Sequence, residues 1–85
     1  MKITLLGTGT SSGVPRIACD CAVCLSADPK NKRLRCSILV EAAGGNILVD
    51  TTPDLRLQAL RQGLRQLDAV LFTHPHVDHL YGLDD

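Results

Sequence analysis

All three histidines of the chain, His74, His76 and His79, fall within six consecutive residues, and Asp78 stands among them. The spacing is H-x-H-x-D-H. Extended backbone turns alternate side chains to one side, so His74 and His76 should point the same way. If the chain then enters a helix, Asp78 and His79 fall in its first turn, beside the other two. Imidazole and carboxylate suit Zn, Mn or Fe, and such a cluster can feed two adjacent metal positions that one loop cannot fill alone. The corresponding chemistry is metal-assisted hydrolysis, in which two ions share a water, lower its pKa and align it with the leaving group. The bland alternative is a solvated polar loop. Three histidines and a carboxylate directly after an apolar strand weigh against it.

A second cluster, "CDCAVC", places Cys19, Cys21 and Cys24 in a C-x-C-x-x-C pattern. Three thiolates so close suit a tetrahedral structural zinc with one ligand missing from the local sequence. A redox pair at Cys21 and Cys24 is a weaker alternative, because no thioredoxin-like pattern surrounds it. Unligated loop cysteines are a third. Cys36 lies apart and reads as a small core residue.

The elements that must position these clusters are short. Lys2–Leu6 reads as a strand running into "GTGTSSGVP", a loop whose glycine spacing is not that of a dinucleotide fingerprint. That loop could offer N–H groups to a phosphate, but a tight turn fits it better. A turn of helix is expected near Val23–Ala27. Ser37–Ala42 and Asn46–Asp50 read as a hairpin closed by Ala43–Gly45. "TTPDLRLQALRQG" carries helix start and stop signals at Thr52, Pro53, Asp54 and Gly63. Leu57, Leu60 and Leu64 should form its core face. Ala69–Phe72 reads as a strand buried on both faces. Lys30 and Lys32 look solvated, whereas the strand after them could hold Arg33 and Arg35 in place.

Composition sets the bounds. At 85 residues and 45% apolar, the chain is one small globular unit with nine basic and nine acidic residues. A unit this small buries only roughly 60–65% of its unfolded surface, so metals or partners matter to its stability. Phe72 and Tyr81 are its only aromatics besides histidine. Nucleic acid is therefore disfavoured as a partner, and no run is long enough for a membrane span. The short apolar start is no signal peptide, which points to the cytoplasm and reduced thiols.

"THPHVDHLYG" resembles the signature of metallo-β-lactamase fold hydrolases. The resemblance implies that His74 and His76 hold one ion, Asp78 and His79 the second, and that Asp78 also positions the nucleophile. Asp50, at the end of "NILVD", matches an aspartate that supports the metal site from beneath. "GTGTSSGVPRIACDCAVC" followed by "KNKRLRCSILVE" is similar to the phosphonate-pathway branch, the PhnP-like phosphoribosyl 1,2-cyclic phosphate phosphodiesterases. That implies two divalent ions, Zn or Mn, in the histidine site and one structural Zn at the cysteines, whose fourth ligand is a downstream histidine.

The expected architecture is α/β (α+β). Residues 1–85 would be the N-terminal half of one αββα sandwich domain, a mixed sheet with a flanking helix, truncated from a longer parent. The expected parent activity is opening of a ribose-phosphate cyclic phosphate, a small phosphorylated substrate, with the isolated piece inactive. Rival readings are a tRNA-processing nuclease or cofactor-biosynthesis protein of the same fold, and a non-catalytic metal-binding module. Bare sheet edges and an uncovered apolar face would favour a homodimer.

Overall fold

A computed structural model describes residues 1–85. Four strands, β1 (Lys2–Gly7), β2 (Ser37–Ala42), β3 (Gly45–Val49) and β4 (Ala69–Leu71), form one mixed sheet in chain order. β1, β2 and β3 are antiparallel, and β4 joins β3 in parallel. Parallel pairing needs a crossover, and the helix α2 (Leu55–Gln62) provides it. Two single-turn helices, α1 (Ala22–Leu25) and α3 (Val77–Leu80), carry Cys24 and the Asp78–His79 pair, with the remaining members of each cluster just before them. The hairpin forms as expected, with Ala43 and Gly44 both at positive φ between the paired Ala42 and Gly45.

The strand register sorts the side chains onto two faces. Leu39 and Leu48 lie directly opposite one another and are fully buried. The other face carries Ile3, Leu5, Ile38, Val40, Ile47, Val49 and Leu71. Nothing covers it: Ile3 is 57%, Leu5 66% and Leu71 55% exposed. An aliphatic sheet face of this extent is built to receive another layer.

Three sequence-based expectations fail here. α2 buries Leu55 and Gln58, while Leu57 and Leu60 face solvent. The helix starts at Leu55 and is rotated by a polar network at its entry. Gln58 Nε2 donates to the Arg35 carbonyl, and Thr52 Oγ1 donates to Gln58 Oε1. A glutamine thereby occupies the position that an apolar count would give to leucine. β4 is not buried on both faces, because it is an edge strand whose Ala69 and Leu71 lie on the open side. Cys36 is exposed rather than core, since it precedes β2.

The glycine loop resolves as a tight approach. A Cβ on Gly7 would stand 2.0 Å from the Arg35 carbonyl oxygen, so only glycine fits where β1 passes this segment. Gly9 N–H donates to the Leu34 carbonyl and is not available to a phosphate. Arg33 and Arg35 are held as expected. Arg33 donates to Thr8 Oγ1, and Arg35 reaches the Ser11 carbonyl and pairs with Asp54 at 2.9 Å. α2 ends at Gly63, whose φ of +68 caps it as the sequence suggests. No helix is long and apolar enough to cross a membrane.

Candidate metal centre

β3 delivers the chain to Asp50, one residue beyond the strand. Asp50 takes the left-handed conformation, φ +66, which aspartate tolerates better than most residues. That bend aims the carboxylate at the end of β4. There Asp50 Oδ1 accepts from the Thr73 backbone N–H at 2.8 Å. Asp50 Oδ2 accepts from Thr73 Oγ1 at 2.8 Å and from His79 Nδ1 at 2.6 Å. The side chain is buried, which alone would raise its pKa. The Thr73 backbone N–H, the His79 ring and the Thr73 hydroxyl outweigh burial and hold it below the usual carboxylate value. A depressed native pKa means a stabilising contribution that is present above the unfolded pKa and lost as pH falls through the native one.

The histidine rings converge as their spacing suggests. His74 and His79 centroids are 4.0 Å apart, and His76 meets His74 edge-on at 4.5 Å. α3 places Asp78 and His79 in its first turn, with His79 Nε2 3.1 Å from Asp78 Oδ2. His79 Nδ1–H is committed to Asp50, so Nε2 turns a lone pair toward a carboxylate oxygen. In the neutral ring these are two facing acceptors, which a divalent cation between them would satisfy. This donor set therefore fits a metal. No three ligating atoms of the loop gather within 4.8 Å of one another, so each ion would take only part of its shell here.

The loop is seated on the segment after β3. Thr51 N–H donates to the His79 carbonyl, Thr51 Oγ1 to the Leu80 carbonyl, and Gly82 N–H to the Thr51 carbonyl. Ligand spacing alone singles out none of Thr73, Thr51 and Gly82. A threonine directly before H-x-H, and a glycine just past the cluster, were the available signals.

Cys19, Cys21 and Cys24 are the chain's compact ligand triad, with all three sulfurs within 4.8 Å of one another. The Cys24 backbone N–H, then the Cys19 and Cys24 thiols, lower the Cys21 pKa to about 7. Cys24 runs the other way. The Arg16 backbone N–H pulls its pKa down, but its cysteine neighbours and burial push it up overall. The thiolate is the form that binds metal, and the neighbours of Cys21 favour that form at this position. The triad fits a tetrahedral ion with a fourth ligand from elsewhere.

A family model described as the metallo-beta-lactamase superfamily matches residues 35–85. Over its whole length the chain is 55% identical to an octanoyltransferase of Porphyromonas gingivalis, of which it spans 18%. Over 65% of its length it is 44% identical to a ribonuclease Z of Bradyrhizobium diazoefficiens, spanning 19% of that protein. Among solved structures, a diphosphatase from the PhnP family superposes with a TM-score of 0.95 at 58% identity, covering 98% of this chain and 33% of that one. Zn(2+)-bound PqqB from Methylobacterium extorquens superposes with a TM-score of 0.85 at 30% identity, covering 98% and 32%. The chain thus spans about a third of these solved chains and about a fifth of these two relatives.

Proposed function

The chain belongs to the metallo-β-lactamase superfamily, and on that premise we propose that it supplies half of a dinuclear centre for hydrolysing a phosphate ester. His74 and His76 hold one divalent ion, Asp78 and His79 the other, and ligands outside these 85 residues complete both shells. Cys19, Cys21 and Cys24 hold a structural zinc. The observation that carries the reading is the Asp50 carboxylate, which orients His79 directly and ties the loop's first turn to β3. Bound ions would lower the pKa of a water and offset the charge of the phosphate. The protein's own groups do the rest. Asp50 fixes the His79 ring, Asp78 aims its carboxylate beside His79 Nε2, and Thr51 holds α3 in place.

The substrate we favour is a small cyclic phosphodiester of a ribose phosphate, following the resemblance carried by the cysteine pattern. The diphosphatase neighbour at 58% identity supports a second reading, a diphosphate bond. Both place a phosphorus centre before the same ligands. The octanoyltransferase name describes a protein of which this chain matches 18%.

The test uses a polypeptide that contains this chain and closes both shells, assayed with Zn or Mn on a ribose cyclic phosphate and on a nucleoside diphosphate. Metal-dependent turnover of either, abolished in His76→Ala, is the expected outcome, and the preferred substrate chooses between the two readings. Turnover that survives both a chelator and His76→Ala would sink the assignment.

A further inference from the structure

Thr73 Oγ1 stands between two partners, Asp50 Oδ2 at 2.8 Å and His74 Nδ1 at 2.8 Å. A hydroxyl has one hydrogen to give. The ionised Asp50 carboxylate only accepts, so the Thr73 hydrogen must point at it. The hydroxyl oxygen can then offer His74 only a lone pair, and His74 Nδ1 must carry the proton. The same carboxylate oxygen takes the Nδ1–H of His79 at 2.6 Å. One buried anion thereby sets the tautomers of two histidines, one directly and one through a hydroxyl.

We propose that Thr73 is a positioning residue, a one-hydrogen relay from Asp50 that locks His74 in its Nδ1–H tautomer and presents Nε2 as the lone pair for a cation. In deepening the metal-centre reading it rests on that reading, but its first test does not need a metal. Without the hydroxyl nothing holds the proton on Nδ1, and the ring should relax to the tautomer mixture of a free histidine. Serine keeps the hydroxyl, whereas valine keeps the shape and loses it. The Thr73 backbone bond to Asp50 survives in both variants.

Two readouts decide it. The first is the His74 tautomer in metal-free protein, from ring nitrogen shifts in 15N NMR. Wild type and Thr73→Ser should show Nδ1–H, and Thr73→Val should lose that preference. An unchanged His74 spectrum in Thr73→Val overturns the relay. The second is Mn(2+) titration by calorimetry, chosen because Mn(2+) prefers nitrogen and oxygen over thiolates. Affinity should fall about tenfold in Thr73→Val and recover in Thr73→Ser. Equal affinities in all three proteins would also overturn it. The titration uses a polypeptide that contains this chain and closes both shells; if its wild type binds no Mn(2+), the metal reading fails while the tautomer result still decides the relay. If Thr73→Val does not fold, a Thr73→Ser protein with His74 carrying its proton on Nε2 overturns it.

Discussion

Asp50→Ala should lower folding stability by about 3–5 kcal/mol, the scale of removing one partner from a buried, hydrogen-bonded pair. Three donors lose their acceptor at once: the Thr73 N–H, the Thr73 hydroxyl and the His79 ring. Alanine also tolerates the φ of +66 less well than aspartate. For a domain this small the loss is a large share of the total. Asp50→Asn separates the causes. It keeps the backbone conformation and one acceptor oxygen, but its amide nitrogen only donates, so at least one of the Thr73 and His79 donors loses its acceptor. Urea denaturation should rank wild type above Asn above Ala. Asp50→Ala with the midpoint of wild type would mean the carboxylate holds nothing.

Gly82→Ala should be nearly as damaging, at about 2–3 kcal/mol, although the position is far from any ligand in name. A Cβ there would lie 1.9 Å from the Thr52 carbonyl oxygen and 2.9 Å from its carbon. Both are backbone atoms, so the clash cannot be relieved by a rotamer. The turn Tyr81–Asp84 must lift away, breaking the Gly82-to-Thr51 bond and loosening the Thr51 contacts to His79 and Leu80. The melting temperature should fall, and metal affinity at the histidine loop should fall with it. Tyr81→Ala, at a position 74% exposed, is the control and should change neither. A stable Gly82→Ala with wild-type affinity would show that α3 is not held in this way.

Both positions illustrate what the sequence could and could not reveal. The histidine and cysteine clusters were legible because ligand spacing is local. The hairpin and the helix end at Gly63 were legible because turn chemistry is local as well. The face of α2 was not. Its rotation depends on Gln58 finding the Arg35 carbonyl, 23 residues away in the chain. Leucine periodicity therefore picked Leu57 and Leu60, which stay in solvent. The exposure of β4 depends on which strands flank it, and Thr73, Thr51 and Gly82 matter through partners that only the fold brings near. Asp50 was found through resemblance. Its left-handed backbone and its three donors belong to tertiary structure.

The open sheet face and the incomplete ligand sets ask for the same thing, more polypeptide against this layer. Relatives of the chain are several times its length, as its 18% share of the octanoyltransferase and its 33% share of the diphosphatase chain indicate. The 85 residues carry both ligand clusters, so the central claim is tested on a polypeptide that contains them and closes both shells.

That test is an equilibrium zinc titration of this completed polypeptide, reduced, beside two variants, Cys21→Ser and Asp78→Ala. Two classes of site are predicted: the cysteine class is lost in Cys21→Ser, and the histidine-loop class loses its Asp78–His79 position in Asp78→Ala while His74 and His76 keep theirs, each variant leaving the other class intact. An Asp78→Ala titration superimposable on wild type would contradict the account, because the histidine loop would then hold no metal through the residues assigned to it.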